Sequence, residues 1–236
     1  MILRSYKMTH DTGFAPNVSG NTLSLATCKP KIREVCEKGE WIAGFTSQKV
    51  NDKEVVEKKL IYLAKVSDKI NFAEFWQNFE CKRPDKDECG DNIYKPKGDG
   101  YEQVPNNHHG AEWKEHDLKA DSVLLCDEFY YFGVDNALDL GDLLAKINVP
   151  NGQAAYGYKT YDIEIENTDN AKGVVSQLID FVRTNKDKCA KFKDENGKVG
   201  GKGVAANSNA GGSCGSSNAS KTSSCGCGTS HTSGKC

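Results

Sequence analysis

The chain has 236 residues, 31 basic and 33 acidic, for a formal net charge of −2, and 37% of its residues are hydrophobic. Charges of both signs are interspersed, which excludes a continuous stripe for gripping duplex phosphates, although a few basic side chains can still hold one nucleotide. No run approaches the about 18 apolar residues of a membrane span, and the first residues lack the apolar stretch of a signal peptide, so a cytoplasmic protein without a membrane partner is expected.

In chain order, residues 2–8 alternate as a strand. A polar loop, Thr9-His10-Asp11-Thr12-Gly13-Phe14-Ala15-Pro16-Asn17, follows. Residues 22–26 read as a short strand and 31–38 as a short helix ending at Gly39, where a left-handed cap suits glycine. Residues 41–45 and 60–66 read as buried strands, joined by a charged loop. Phe72, Phe75, Trp76 and Phe79 recur at helical spacing and predict one apolar helix face. Residues 80–120 are rich in Gly, Pro, Asn, Asp and Lys; so long a loop inside a compact domain is more often functional than decorative. A strand over 122–126, the aromatic run Phe129-Tyr130-Tyr131-Phe132 and an amphipathic helix through Val174, Val175, Leu178, Ile179 and Val182 close the domain.

Residues 196–236 hold 10 Gly, 9 Ser and 4 Cys and no aromatic or acidic residue. Such a segment buries too little apolar surface to offset ordering entropy of about 1–2 kcal/mol per residue. One domain over residues 1–195 and a disordered Gly/Ser/Cys-rich tail over 196–236 are therefore expected. In the tail, Cys214, Cys225, Cys227, Cys236 and His231 offer soft ligands on a flexible chain, and exposed thiols without a dedicated metal site are the simpler expectation. Without an export signal the remaining cysteines are read as mostly reduced. Cys81 and Cys89 are the best pair for a metal or redox bridge, but the spacing matches no common zinc site.

Polar residues able to do chemistry collect in three loops. The first holds His10, Asp11 and Asn17, the second Asp91, Asn92, Tyr94 and Lys95, the third Asn106, Asn107, His108 and His109. A carboxylate can orient an imidazole and raise its pKa, which makes His10 the acid/base candidate and Asp11 its orienter, against the plainer possibility of an Asx turn. Asp91, His108 and His109 are further catalytic candidates. Adjacent histidines rarely aim both rings at one ion, so no metal is assigned. Gly200-Gly201-Lys202-Gly203 lacks the strand, the following Ser or Thr and the helix of a phosphate loop.

The first loop, Leu25-Ala26-Thr27-Cys28-Lys29-Pro30-Lys31-Ile32-Arg33, Gly39-Glu40-Trp41-Ile42-Ala43-Gly44-Phe45-Thr46-Ser47, Gly90-Asp91-Asn92-Ile93-Tyr94 and Phe129-Tyr130-Tyr131-Phe132-Gly133 together resemble the second of the numbered nucleotide-modification-associated domain families. The resemblance runs from about residue 2 to residue 185. It implies involvement with nucleotides in bacterial and phage systems that modify bases, and supplies no reaction, cofactor or catalytic residue. The order Gly39-Glu40-Trp41-Ile42, then residues 60–66, then the Phe-rich helix also resembles PUA-superfamily domains of the EVE and ASCH type. That second resemblance implies a curved β-barrel with flanking helices, an α+β fold; the polar first loop and the long polar insertion over 80–120 depart from such domains, being richer in reactive side chains than base recognition requires.

The combined expectation is an enzyme, or a component of a modification system, acting on a nucleotide or nucleic-acid base, with the three loops meeting at one end of the barrel. Lys29 and Arg33 would hold a phosphate, Tyr94 or Tyr130 would stack on the base, and Asn17 and Asn92 would complete the pocket. A non-catalytic module reading a modified base or nucleotide is the alternative. The cofactor and the oligomeric state are left open.

Overall fold

The computed structural model describes residues 1–147, 158–162 and 173–203. Its strands are β1 (Ile2–Met8), β2 (Leu23–Leu25), β3 (Trp41–Thr46), β4 (Lys49–Val50), β5 (Lys53–Glu54), β6 (Leu60–Ile70), β7 (Tyr94–Lys97), β8 (Gly100–Gln103), β9 (Val123–Tyr131), β10 (Tyr158–Asp162), β11 (Lys191–Lys193) and β12 (Val199–Gly200). Its helices are α1 (Pro30–Val35), α2 (Phe72–Asn78), α3 (Lys114–Asp117), α4 (Leu143–Lys146) and α5 (Val174–Thr184).

Eight strands form one mixed sheet, seven of them in the order β10-β1-β3-β6-β9-β11-β12 and β2 paired beside β9. β1 and β3 run parallel, and β1 pairs antiparallel with β10. One edge of β9 pairs with β6. Its other edge is shared end to end, β2 pairing with Leu124 to Cys126 and β11 with Phe129 to Tyr131. The alternation of side chains sends them to two apolar layers. Leu3, Trp41, Phe45, Leu63, Tyr130 and Phe132 meet α5 on one face. Tyr6, Met8, Ile42, Tyr62, Val66 and Tyr131 meet Ile32 of α1 on the other. A third cluster joins Phe14, Phe72, Phe75, Ile93 and Tyr94 beneath α2 and the β7–β8 hairpin.

The expected mixed α/β class is present, but the expected closed barrel is not. Among the described residues, β10 and β12 end the strand order without pairing to each other. The alternating pattern that predicts a curved sheet is satisfied equally well by an open sheet covered by helices on both faces.

The strand over 122–126 extends through the aromatic run as β9, and β6 runs to Ile70 across register shifts at Val66 and Asp68, where a bulge bends the strand. α2 is fixed by a capping box, in which Asn71 accepts from the Glu74 amide and Glu74 accepts from the Asn71 amide. Phe72 and Phe75 are buried, whereas Trp76 is half-buried with the Arg83 guanidinium 4.1 Å from its ring centre. α1 stops at Val35, earlier than expected, and Gly39 keeps its left-handed φ of 93° three residues beyond the Cys36 cap.

The long insertion carries structure of its own. After α2 the chain doubles back, the Asn92 amide bonding to the Lys82 carbonyl at 3.0 Å, and a Cβ on Gly90 would lie 2.4 Å from that same oxygen. Within this fold-back Cys81 and Cys89 are disulfide-bonded, which corrects the expectation of reduced thiols for these two. Cys28, Cys36, Cys126 and Cys189 are free.

Beyond residue 195 the chain stays on the sheet for several residues: β12 pairs with β11, and the amides of Lys202 and Gly203 bond to the carbonyls of Cys189 and Ala190. The expected boundary after residue 195 falls inside this hairpin. The tail cysteines and His231 lie outside the described residues. Among the described residues no helix is long and apolar enough to cross a membrane.

Candidate functional site

The three loops are brought together through only some of the residues that the sequence singles out: Asn17, His108 and His109 make the contacts, and His10 does not. Phe14 of the first loop stacks on His108 of the third at 5.1 Å between ring centres, and His109 lies 5.6 Å from the same ring. Asn17 of the first loop donates to the Cys89 carbonyl of the second at 2.7 Å.

His10 is exposed, with Nδ1 3.1 Å from Thr9 Oγ1. Asp11 does not orient it: both carboxylate oxygens face the end of β9, accepting from Tyr131 Oη and the Val134 amide at 2.7 Å each. Asn51 clamps the Asp11 backbone on both sides. Asn17 is buried, its Oδ1 accepting from Lys82 Nζ at 2.6 Å. Asp91 is buried and accepts from Ser24 Oγ and the Ala26 amide. Asn92 caps α2, donating to the Phe75 and Phe79 carbonyls.

Arg33 is fully buried and donates to the carbonyls of Cys28, Asp117, Ala120 and Ser122, so it pins the loop ahead of α1 to the loop ahead of β9 and is turned away from any phosphate. Tyr94 is 1% exposed and edge-on to Phe72, closed to a stacking base. Tyr130 is equally enclosed, on the α5 face, its hydroxyl on Glu128 and Glu195. Lys29 is half-buried with Nζ 4.9 Å above the Tyr6 ring, and burial holds its pKa below the ordinary lysine value.

One compact group of reactive side chains emerges from these contacts: Cys28, His109 and Asp117, whose ligand atoms all lie within 4.8 Å of one another. Three elements deliver them. Cys28 sits between β2 and α1, where Cys28 and Lys29 both adopt left-handed backbone, φ 56° and 43°. Non-glycine residues pay about 1–2 kcal/mol each for that conformation. The strain is held by the Cys28 amide, which donates to Asp117 Oδ1 at 2.8 Å, and by Arg33 on the Cys28 carbonyl.

His109 is fixed by a turn in which Asn106 Oδ1 accepts from the amides of His108 and His109, while Gln103 donates to the His109 carbonyl at 2.7 Å. Asp117, at the end of α3, is fully buried and takes a further hydrogen bond from Tyr94 Oη at 2.8 Å.

His109 Nε2 is 2.7 Å from Asp117 Oδ2, yet the carboxylate lies off the ring N–H direction, so this buried nitrogen has no hydrogen-bond partner. Burial first, and the Asp117 carboxylate second, push the Cys28 thiol up to about 11, against the opposing pull of Lys29 and Arg33. The thiol is therefore protonated at neutral pH. The Trp113 ring lies 5.9 Å from that of His109 and is 45% exposed, one of four large exposed apolar side chains among the described residues.

Of the expected site residues, only His109 belongs to this group; Tyr94 and Arg33 hydrogen-bond to its members, and His108 and Lys29 are next to them in sequence. Cys28 and Asp117 escape a reading of loops by histidine content, although Cys28 lies inside the stretch from Leu25 to Arg33 that carries the family resemblance. No curated protein and no solved structure matches the chain. Residues 2–191 match the family model described as "Nucleotide modification associated domain 2", and the chain belongs to that family.

Proposed function

We propose that the protein is an enzyme, or the reactive component of an enzyme, acting on a base of a nucleotide or nucleic acid, with Cys28, His109 and Asp117 as its reaction centre. The observation that carries this reading is the exposed Trp113 beside His109. An exposed indole offers a flat face on which a base can stack, worth about 1–3 kcal/mol, directly next to the side chains that would act on it. Lys29, next in sequence to Cys28 and partly exposed, supplies a cation for a phosphate group. Family membership supports involvement with nucleotide modification.

A second reading, a module that recognises a modified base without turnover, is favoured by the raised pKa of Cys28, because a protonated thiol is a weak nucleophile. One pair of measurements separates them. Deoxynucleotides and short DNA should quench tryptophan fluorescence in the native protein and not in Trp113→Phe, and nucleosides recovered from the incubation should change mass. Cys28→Ser should abolish the mass change and keep the quenching if the protein is an enzyme. Quenching without any mass change supports the reader, and absence of both removes the proposed site.

A further inference from the structure

The geometry points to a metal site: we propose that Cys28 Sγ, His109 Nε2 and Asp117 Oδ2 bind a borderline-soft divalent cation of the zinc class, with a fourth position left open. This deepens the reading above, since it rests on the same three residues as the reaction centre.

The donor set is one thiolate, one imidazole and one carboxylate, which suits zinc over the hard cations that prefer oxygen alone. Tetrahedral zinc bonds of about 2.0–2.3 Å place neighbouring ligand atoms about 3.3–3.6 Å apart. The ligand atoms of the three residues already lie within 4.8 Å of one another, so closing on an ion requires the His109–Asp117 contact to open by about 0.6–0.9 Å from 2.7 Å and any longer separation to shorten by at most about 1.5 Å.

Two independent features favour an ion over a proton relay. His109 Nε2 is buried without a hydrogen-bond partner although a carboxylate oxygen is 2.7 Å away, which is how two ligand atoms look when both face a common point rather than each other. A relay would instead use the two opposite nitrogens of the imidazole, one on the carboxylate and one on the thiol. The supporting groups are also those of a metal site: Tyr94 and the Cys28 amide hold the Asp117 carboxylate, and the Asn106 turn holds the His109 backbone.

Charge balance agrees, because a thiolate and a carboxylate together neutralise a dication, while the cationic Arg33 is directed at four carbonyls. Three protein ligands and an open position make a site that holds water, and zinc-class ions lower the pKa of such a water to about 7. A base stacked on Trp113 would lie beside it.

The test uses the full chain with Cys214, Cys225, Cys227 and Cys236 replaced by serine, so that tail thiols do not contribute, under reductant mild enough to leave the Cys81 and Cys89 disulfide intact. One equivalent of Co²⁺ should bind and give near-ultraviolet thiolate-to-cobalt absorption, and Zn²⁺ should displace it with a Kd of about 1 μM or tighter. Cys28→Ser should remove the absorption, and His109→Gln and Asp117→Asn should each weaken Zn²⁺ by at least about tenfold.

A second measurement needs no variant at the site: Zn²⁺ should slow alkylation of Cys28 by iodoacetamide, followed by mass spectrometry of its peptide. Absorption that survives Cys28→Ser, or alkylation of Cys28 that Zn²⁺ leaves unchanged, overturns the proposal. Both measurements are made without nucleotide, so the metal site can fail while Trp113 quenching stands, and the reverse.

Discussion

Tyr94 and Asp117, 23 positions apart in the long insertion, meet in a 2.8 Å hydrogen bond from phenol to carboxylate. Through it the β7–β8 hairpin is tied to α3, and α3 to Cys28. Both groups are buried, so Tyr94→Phe leaves a carboxylate oxygen short of a donor. A hydrogen bond to a charged group contributes about 1.5–3 kcal/mol, and a domain of this size shifts by about 2–4 °C per kcal/mol. Tyr94→Phe should therefore melt several degrees below the native protein. An unchanged melting temperature would show that Asp117 is held by other groups.

Arg33→Met should be among the most damaging single changes. It removes the donors from four carbonyls, those of Cys28, Asp117, Ala120 and Ser122, in a fully buried setting. A buried carbonyl left without a donor costs about 1–3 kcal/mol, and four lose theirs together. Equilibrium denaturation in urea measures it, and a loss below about 1 kcal/mol would mean that the carbonyls find other donors.

Lys82 and Asp91 give the stability a pH signature. Burial pushes Asp91 up to about 6 against the pull of Lys82, Ser24 and the Ala26 amide, and burial pushes Lys82 down to about 8 against the pull of Asp91. Between about pH 4 and 6 the folded protein keeps the Asp91 proton that the unfolded chain has released, so this residue's contribution falls as pH rises. Between about pH 8 and 10.5 the folded protein has released the Lys82 proton that the unfolded chain still holds, so stability recovers as pH rises. Asp91→Asn should flatten the first slope and, by removing the charge that holds the Lys82 pKa up, start the second at a lower pH. Parallel pH profiles for the native protein and Asp91→Asn would refute the assignment.

Phe75→Ala should cost about 3–5 kcal/mol, since Phe75 is fully buried among Phe14, Phe72, Ile93 and Leu125. Thermal or urea unfolding measures it, and a negligible loss would contradict its place in the core. Phe75 marks what periodicity can reveal. α2 and α5 were legible because each repeats its apolar side chains with the helical period, and β3 because its continuous apolar run suits a strand buried on both faces. Trp76 shares the spacing yet is only half-buried, with the Arg83 guanidinium rather than core side chains against its ring. Spacing reports which side a residue faces, not how much chain lies above it.

The site was less legible for a different reason. Cys28 and Asp117 stand 89 positions apart and are joined by one amide-to-carboxylate bond that no local pattern encodes. His10 and Asp11 are neighbours in sequence, yet Asp11 reaches 120 positions along the chain to Tyr131. Arg33 looked like a phosphate ligand, but its five donors are as well suited to carbonyls as to phosphate, and only the fold decides which they meet.

The last prediction concerns where the folded domain stops. Composition alone puts the boundary before residue 196, yet Val199–Gly200 pairs with β11 and two further amides bond to Cys189 and Ala190. Gly201 shows how close that approach is: its φ is 134°, and a Cβ there would lie 2.3 Å from the Ala190 carbonyl oxygen. An alanine can neither adopt that backbone cheaply nor fit without moving main chain. Gly201→Ala should cost about 1–3 kcal/mol, several degrees in melting temperature. Deleting residues 197–236 should cost at least as much, because it removes β12 altogether, whereas deleting 204–236 should leave the melting temperature within about 1 °C of the full chain. Two truncations that melt together would mean that β12 contributes nothing to the sheet.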